Sequence, residues 1–266
     1  MKKNFETLIV LIILISACVP PPSTIPPSPP PSLSEAEIIS AVSRSTTATS
    51  SLKSWVEAQI HYERHSTLKR RSFNGAIVWR EQPDQLRFQA FGPFGGTLFD
   101  ILYDSEDLIV FIPSSSRVYT GIISDLTGMP DADILSILRR LLPGVEKSYR
   151  MDECRVERDT YTVWFTDNGL INGLTIDPKT LLIRRKTVLR EEKTVATILY
   201  ADYKEITGTA FPTSINISLP LDGFTLRLQF ANPSINPKLR DSQFFISLPP
   251  DTQRSSLSEL PGEMLK

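Results

Sequence analysis

Short segments in which apolar and polar residues alternate recur along most of this chain, with turn residues between them. The clearest is residues 224–230, in which Phe224, Leu226, Leu228 and Phe230 alternate with polar side chains. A period of two is typical of a β-strand, because successive side chains point to opposite faces of a sheet. Comparable segments lie at 56–62, 73–80, 86–91, 97–103, 108–112, 161–165, 181–189, 194–203 and 215–219. They predict a mainly β chain folded as one strongly curved, unclosed antiparallel barrel.

Two of the predicted strands, residues 97–103 and 108–112, are apolar on both faces. A sheet with this pattern must be covered on both sides. The segment 131–142 is a candidate for the cover, because its apolar residues form a broad helical stripe before Pro143-Gly144 ends it. A second, earlier helix is predicted after Ser34, which forms a capping box with Glu37.

The N-terminus has the pattern of an export signal. A basic start, Met1-Lys2-Lys3, precedes the apolar run Leu8–Ile15, which is far shorter than the roughly 20 residues that span a bilayer. Residues 1–17 are therefore a predicted signal peptide. The end of the run, Ile15-Ser16-Ala17-Cys18, resembles a bacterial lipobox, in which the cysteine receives diacylglycerol. The alternative is an ordinary secretory signal that leaves Cys18 as a plain thiol.

The residues that follow Cys18 predict a spacer and a place in the cell. Residues 18–32 are rich in proline and predict a stiff tether with a reach on the order of 40 Å. Val19 stands where the lipoproteins that the inner membrane retains carry aspartate, so the resemblance implies a lipid anchor on the periplasmic face of the outer membrane. A proline-rich ligand for a partner domain is the alternative reading of the tether.

Composition excludes some functions and limits others. The net charge of −1 argues against nucleic-acid binding, which needs a strongly basic face. Only Cys154 remains besides Cys18, so no disulfide within the mature domain is expected.

No catalytic or phosphate-binding motif is found, and we expect no enzyme activity and no cofactor. His61, Glu63 and His65 share one strand face, but we interpret them as a solvated polar face rather than a metal site.

Other residues leave two interpretations open. Trp55, Trp79 and Trp164 either line a ligand cavity or fill a core. The basic runs 139–140 and 184–186 are interpreted as solvated charges. We expect one domain over residues 33–252 and a disordered tail over 253–266.

Several segments together resemble a known family. They are residues 75–88 (GAIVWREQPDQLRF), 91–95 (FGPFG), 118–121 (VYTG) and, most specifically, 126–144, which begins with LTGMP and ends with LPG. They resemble the LolA/LolB superfamily of lipoprotein localisation factors, and within it the LolB family of outer-membrane receptors. The resemblance covers roughly residues 52–250. It implies an unclosed antiparallel barrel around an apolar cavity that helices cover and that binds the acyl chains of lipoproteins.

The resemblance also implies roles for individual residues. Phe94 is the expected membrane-contact residue on a loop between two early strands, and Arg80 is the expected arginine that holds a helical lid. The expected cavity residues are Trp79, Phe88, Ile101, Phe111, Ile134, Leu138 and Trp164.

The resemblance implies a function as well. The protein would be a monomeric receptor that accepts lipoproteins from a LolA-like periplasmic carrier and inserts them into the outer membrane. The alternatives are a tethered carrier of glycolipid or another envelope lipid, and a structural lipoprotein that binds a protein partner.

Overall fold

A computed structural model describes residues 33–64, 67–122, 151–157, 160–167 and 169–260. The predicted signal peptide, Cys18, the proline-rich tether and the predicted helix 131–142 with Ile134 and Leu138 lie outside the described residues. Among the described residues, no helix combines the length and the apolar character that crossing a bilayer requires.

The described chain consists of one α-helix, fourteen strands and four short 3-10 turns. Helix α1 spans Glu35–Thr47. The strands are β1 (Ser51–Arg64), β2 (Thr67–Arg80), β3 (Gln85–Phe91), β4 (Thr97–Asp104), β5 (Asp107–Ile112), β6 (Arg117–Ile122), β7 (Met151–Glu157), β8 (Thr160–Asp167), β9 (Leu170–Ile176), β10 (Ile183–Arg190), β11 (Lys193–Ile206), β12 (Thr209–Leu219), β13 (Phe224–Ile235) and β14 (Gln253–Ser256). The 3-10 turns are η1 (Pro113–Ser115), η2 (Pro220–Asp222), η3 (Asp241–Phe244) and η4 (Leu257–Glu259).

All fourteen strands belong to one sheet, in the order β14-β6-β5-β4-β3-β2-β1-β13-β12-β11-β10-β9-β8-β7. Thirteen of them pair antiparallel, and only β14 runs parallel to its neighbour β6. Most pairs are consecutive hairpins, whereas the β1–β13 pair joins the two halves of the sheet. The predicted class, a mainly β chain on one unclosed antiparallel sheet, is confirmed.

Helix α1 begins where the capping box predicts. The Ser34 hydroxyl accepts from the backbone N–H of Glu37, and the Glu37 carboxylate accepts from the Ser34 N–H at 2.8 Å. The hydrogen bond from the Ser34 side chain lowers the pKa of the Glu37 carboxyl. Ile38 and Val42 lie on one face of the helix, and this face is buried against the sheet.

The sheet curves around one apolar cluster, which we call the inner cluster. It includes Tyr119 of β6 and Val163 of β8, strands that lie near opposite ends of the sheet. These side chains belong to one cluster because the sheet bends around it. The face that carries Val56, Ala58 and Ile60 of β1 is therefore the inner face, and the opposite face is the outer face.

A second, smaller cluster covers the outer face of β4, β5 and β6. Leu102, Phe111 and Val118 of the sheet pack there against Phe244 and Ile246 of the C-terminal segment, residues 237–250. The prediction that these strands are covered on both faces is therefore confirmed. The cover of the outer face is the C-terminal segment, which the sequence pattern did not suggest.

The expected disorder from residue 253 onward is wrong for the described part of that segment. Residues 253–256 form β14 against β6, and Leu257 and Leu260 after them are buried in the inner cluster. The polar residues of this segment face outward, whereas two leucines supply the burial that orders it.

Candidate functional site

One end of the sheet carries most of the features that bear on function, and we call it the upper edge. The β1–β2 hairpin, the β3–β4 loop (residues 92–96), η1 and η2 all lie there, because β1, β3, β5 and β12 end at this edge and β2, β4, β6 and β13 begin at it. Helix α1 leads into β1 from the opposite edge.

A cavity of about 390 Å³ lies on the inner side of the upper edge. The described residues that line it are Ile60, Arg71, Ser72, Phe73, Leu98, Phe99, Ile112 and Ser114. Its volume falls within the roughly 300–1,000 Å³ range of small-molecule sites. The lining is predominantly apolar, with one cation and two serines.

Two aromatic rings, Phe73 and Phe99, form the floor of the cavity, and a third ring, Phe88, packs against both without lining it. The Phe73 ring centroid lies 5.5 Å from that of Phe99 and 6.2 Å from that of Phe88, and Phe88 lies 6.0 Å from Phe99. These distances are those of favourable aromatic contacts. Gly75 makes the arrangement possible, because a Cβ there would lie 3.0 Å from the Phe88 ring and 2.9 Å from the Gln89 carbonyl oxygen. An apolar ligand would therefore meet a rigid aromatic surface.

Three of the expected cavity residues lie on the inner face. Phe88 and Ile101 are buried in the inner cluster, and Trp79 is half-buried against it. None of the three is among the residues that line the cavity, although Phe88 packs against Phe73 and Phe99, which do. Ile134 and Leu138 lie outside the described residues.

Phe111 and Trp164 are corrections to the expected set. Phe111 packs in the outer cluster with Phe244. Trp164 alternates with Val163 and Phe165, which belong to the inner cluster, so it faces outward and its ring covers Gly173 of β9. Neither ring can line a cavity on the inner face.

Phe94 lies at the tip of the β3–β4 loop and is 100% exposed. The Gly95 N–H donates to the Gly92 carbonyl at 3.0 Å, which closes a turn with Pro93 and Phe94 at its centre. Gly95 then takes a positive φ of 81°, the conformation in which a residue without Cβ is favoured. The loop thus presents the ring of Phe94 to solvent at the edge on which the cavity lies.

Arg80 lies on the outer face, opposite the cavity. Its guanidinium contacts Asp241 at 2.8 Å, donates to Gln85, and lies 4.5 Å from the centre of the Phe244 ring. Its observed partners are thus in the C-terminal segment and β3. The helix that Arg80 was expected to hold lies outside the described residues, so the lid contact stays a prediction.

Sequence reasoning missed several residues of the inner face. Phe73, Phe99 and Arg71 line the cavity, and their shared face follows from strand alternation with Ile77 and Ile101. Lys186 was interpreted as a solvated charge, yet it is only 6% exposed and lies between Leu174 and Ile198 of the inner cluster. The phenol of Tyr200 on β11 is also buried, and this burial raises its pKa.

No three His, Cys, Asp or Glu side chains of the described ranges come together as metal ligands would. His65 lies outside these ranges. The described site therefore offers an apolar surface and a cation for binding, with no cluster of metal ligands.

Several solved structures share the architecture of this chain. The chain matches no protein-family model and no curated protein. A LolA superfamily protein from Nitrosomonas europaea superposes with a TM-score of 0.57 at 16% identity, covering 80% of this chain and 98% of that one. A DUF1329 family protein from Desulfovibrio piger superposes with a TM-score of 0.58 at 16% identity, covering 79% and 96%.

A third structure agrees with these two. A domain from Vibrio parahaemolyticus, described as that of an outer membrane lipoprotein-sorting protein, superposes with a TM-score of 0.55 at 12% identity and covers 78% of this chain and 94% of that one. At such identities the likeness establishes a fold and not an activity. The chain therefore shares the fold of the solved LolA superfamily structure.

Proposed function

We propose that this chain is a membrane-anchored acyl-chain-binding receptor. It accepts lipoproteins from a LolA-like periplasmic carrier and inserts them into the outer membrane, to whose periplasmic face Cys18 anchors it through lipid. It acts by binding and release, without catalysis. The observation that carries the proposal is the apolar cavity on the inner face, placed at the same edge as the fully exposed Phe94.

The energetics of the cavity suit an acyl chain. Transfer of each methylene out of water contributes about 0.8 kcal/mol, so even part of a chain on the rings of Phe73 and Phe99 would be held appreciably. Release requires another apolar environment in which the chain has a similarly low free energy, and the bilayer is one. Phe94 at the loop tip would bring the cavity to that destination.

One observation favours a second candidate, a tethered carrier of a glycolipid or another envelope lipid. The cavity of about 390 Å³ lies near the lower end of the small-molecule range and suits one chain better than the several chains of a lipoprotein. The third alternative, a structural lipoprotein that binds only a protein partner, expects the space to be filled by Trp79, Phe88 and Phe111. Phe111 lies on the other face, and the cavity is not filled by side chains. These two observations do not favour the third alternative.

Mass spectrometry of co-purifying lipid tests the proposal. The tagged protein is expressed with its own signal peptide in a bacterium with an outer membrane, purified, and extracted with solvent. An unrelated lipoprotein purified in the same way gives the background from membrane and detergent. Acylated peptide above this background supports the receptor, and free lipid above it supports the carrier. Extracts that match the background for every lipid class contradict both.

A further inference from the structure

The first part of β2 extends beyond the end of β3. β2 pairs with β3 only from Asn74 onward, whereas it pairs with β1 along its whole length from Thr67. Residues 67–73 therefore have β1 as their only strand neighbour within the described sheet. The side chains of this overhang at Lys69, Arg71 and Phe73 share one face, since they are two residues apart. Phe73 and Arg71 both line the cavity, and Lys69 lies on the same face two residues nearer the start of β2.

Arg71 is placed to meet a ligand in the cavity. It lies directly opposite Ile60 in the β1–β2 register, and both residues line the cavity. Arg71 is the only charged residue among the described residues that line it. Its guanidinium is exposed and has no hydrogen-bond or ion-pair partner in the described chain. The neighbouring Arg70 points to the outer face, where it donates to Gln59 at 3.0 Å.

We propose that Arg71 makes this cavity selective for a single-chain amphiphile with an anionic head. The chain lies on the rings of Phe73 and Phe99, and the guanidinium binds the carboxylate or phosphate at the mouth. This inference rests on the lipid binding that both proposed functions share, and it agrees with the second candidate, the lipid carrier, because it specifies one chain with an anionic head.

The chemistry of the mouth favours an anion for two reasons. Arginine presents a planar fork of N–H donors that matches carboxylate and phosphate, and such charge-assisted bonds are stronger than neutral ones. The positive charge of Lys69 on the same face adds to the local potential, although the chain as a whole carries a net charge of −1.

Competition binding tests this selectivity. The mature chain from residue 18 with Cys18→Ser keeps the tether and the domain and needs no detergent. It is loaded with the neutral fluorescent probe N-phenyl-1-naphthylamine. Palmitate, lysophosphatidylglycerol and the uncharged 1-palmitoylglycerol then displace the probe below their micellar concentrations. The first two distinguish a carboxylate head from a phosphate head, and the third has a similar chain without charge.

The variants are Arg71→Gln, Arg71→Lys and, as the matched control, Arg70→Gln. We expect at least one anionic lipid to bind about tenfold more tightly than 1-palmitoylglycerol, a factor that corresponds to about 1.4 kcal/mol. Arg71→Gln removes this preference and leaves the affinity for 1-palmitoylglycerol unchanged. Arg71→Lys retains part of the preference, and Arg70→Gln retains all of it. High salt reduces it, because the mouth is exposed.

Two results would overturn the inference in different ways. Equal affinities for charged and uncharged lipids in the unsubstituted chain, or an equal loss of all three in Arg71→Gln, contradict the role of Arg71 while leaving lipid binding in place. Failure of the chain to bind the probe and all three lipids contradicts the proposed function itself, and the inference with it. Circular dichroism of each variant verifies that it is folded.

Discussion

Gly75 is the residue on which the shape of the cavity floor depends. It lies on the inner face of β2 between Phe73 and Ile77, at a position where any side chain would meet the Phe88 ring. Glycine is needed here for space rather than for backbone conformation. A Cβ at this position would lie only 2.9 Å from the Gln89 carbonyl oxygen and 3.0 Å from the Phe88 ring. The absence of one side chain allows three aromatic rings to assemble above it.

Gly75→Ala is therefore expected to destabilise the protein by about 2 kcal/mol, the typical cost of overpacking a well-packed core. The reason is that the Gln89 carbonyl belongs to the paired β3 backbone and cannot move freely, so the ring of Phe88 must shift. Urea unfolding measures the loss. The same variant should also bind N-phenyl-1-naphthylamine more weakly, because the displaced ring alters the floor.

Gly96→Ala is the matched control for this substitution. No atom lies within 4 Å of the added Cβ at Gly96, and the change should stay within about 0.5 kcal/mol. Equal unfolding midpoints for Gly75→Ala and the unsubstituted chain would show that the floor tolerates the methyl group.

At the scale of elements, the C-terminal segment is held on the outer face by two half-buried arginines whose carboxylate partners differ in burial. Arg87 of β3 makes a two-pronged ion pair with Asp100 of β4, at 2.9 and 2.6 Å, and donates to the Gln243 carbonyl of η3 at 3.2 Å. Arg80 reaches Asp241 on the same turn. Asp100 is 3% exposed, whereas the side chain of Asp241 is 91% exposed.

This difference in burial predicts different costs for the two carboxylates. Asp100→Ala should lower the free energy of unfolding by about 3 kcal/mol, because it leaves the largely buried Arg87 guanidinium without its counter-charge. Asp241→Ala should cost less than about 1 kcal/mol, since water solvates the exposed carboxylate and Arg80 keeps its contacts with Gln85 and the Phe244 ring. Urea unfolding of both variants measures the contrast. Similar losses in the two variants would contradict the argument that the burial of the carboxylate determines the cost.

The elements could be predicted from the sequence where a single pattern decided them. Alternation and turns predicted ten strands, and the capping box predicted the start of α1. Four strands were not predicted: the short β6, β7, β9 with its internal glycine, and β14. The C-terminal cover was missed as well, since residues 237–250 have no regular period and are ordered only by the outer face on which they pack.

The same reasoning explains which site residues were placed correctly. Phe88 alternates with Arg87 and Gln89, so its face was determined by its neighbours. Trp164 lies in a strand that does alternate, with Val163 and Phe165 on the opposite face from it, so alternation alone would have placed it outward. Phe111 lies in a strand that is apolar on both faces, and there periodicity cannot tell inner from outer. The register with the adjoining strands decides the face, and register is a property of the whole sheet.

At the scale of the whole molecule, the proposed anchor and the upper edge have complementary tasks. Under the proposed function, lipidated Cys18 and the proline-rich tether keep the domain within a reach on the order of 40 Å from the bilayer. A tether of this kind sets distance but not orientation. A contact at the upper edge would supply the orientation that brings the cavity to the membrane. Among the described residues of this edge, Phe94 is the most exposed apolar side chain.

Phe94→Glu should therefore leave folding intact and slow lipid transfer by at least tenfold. The side chain makes no contact that folding needs, because it is fully exposed at a loop tip. In the membrane contact, a phenyl ring gains roughly 1.5–3 kcal/mol from burial. A carboxylate there loses this gain and is costly to dehydrate. The measurement uses the full lipidated protein in proteoliposomes and follows a fluorescent triacylated lipoprotein delivered by a LolA-like carrier.

Phe94→Leu is the matched control, because it keeps an apolar side chain at the tip and should retain most of the transfer rate. Binding of N-phenyl-1-naphthylamine should be the same in all three proteins, since the ring does not line the cavity. A loss of transfer with unchanged probe binding then separates delivery from binding. Normal transfer by Phe94→Glu would remove the membrane-contact role from this loop, and the orienting contact would have to be sought in the apolar side chains of the β1–β2 hairpin or η2, where Leu68 and Leu221 are exposed.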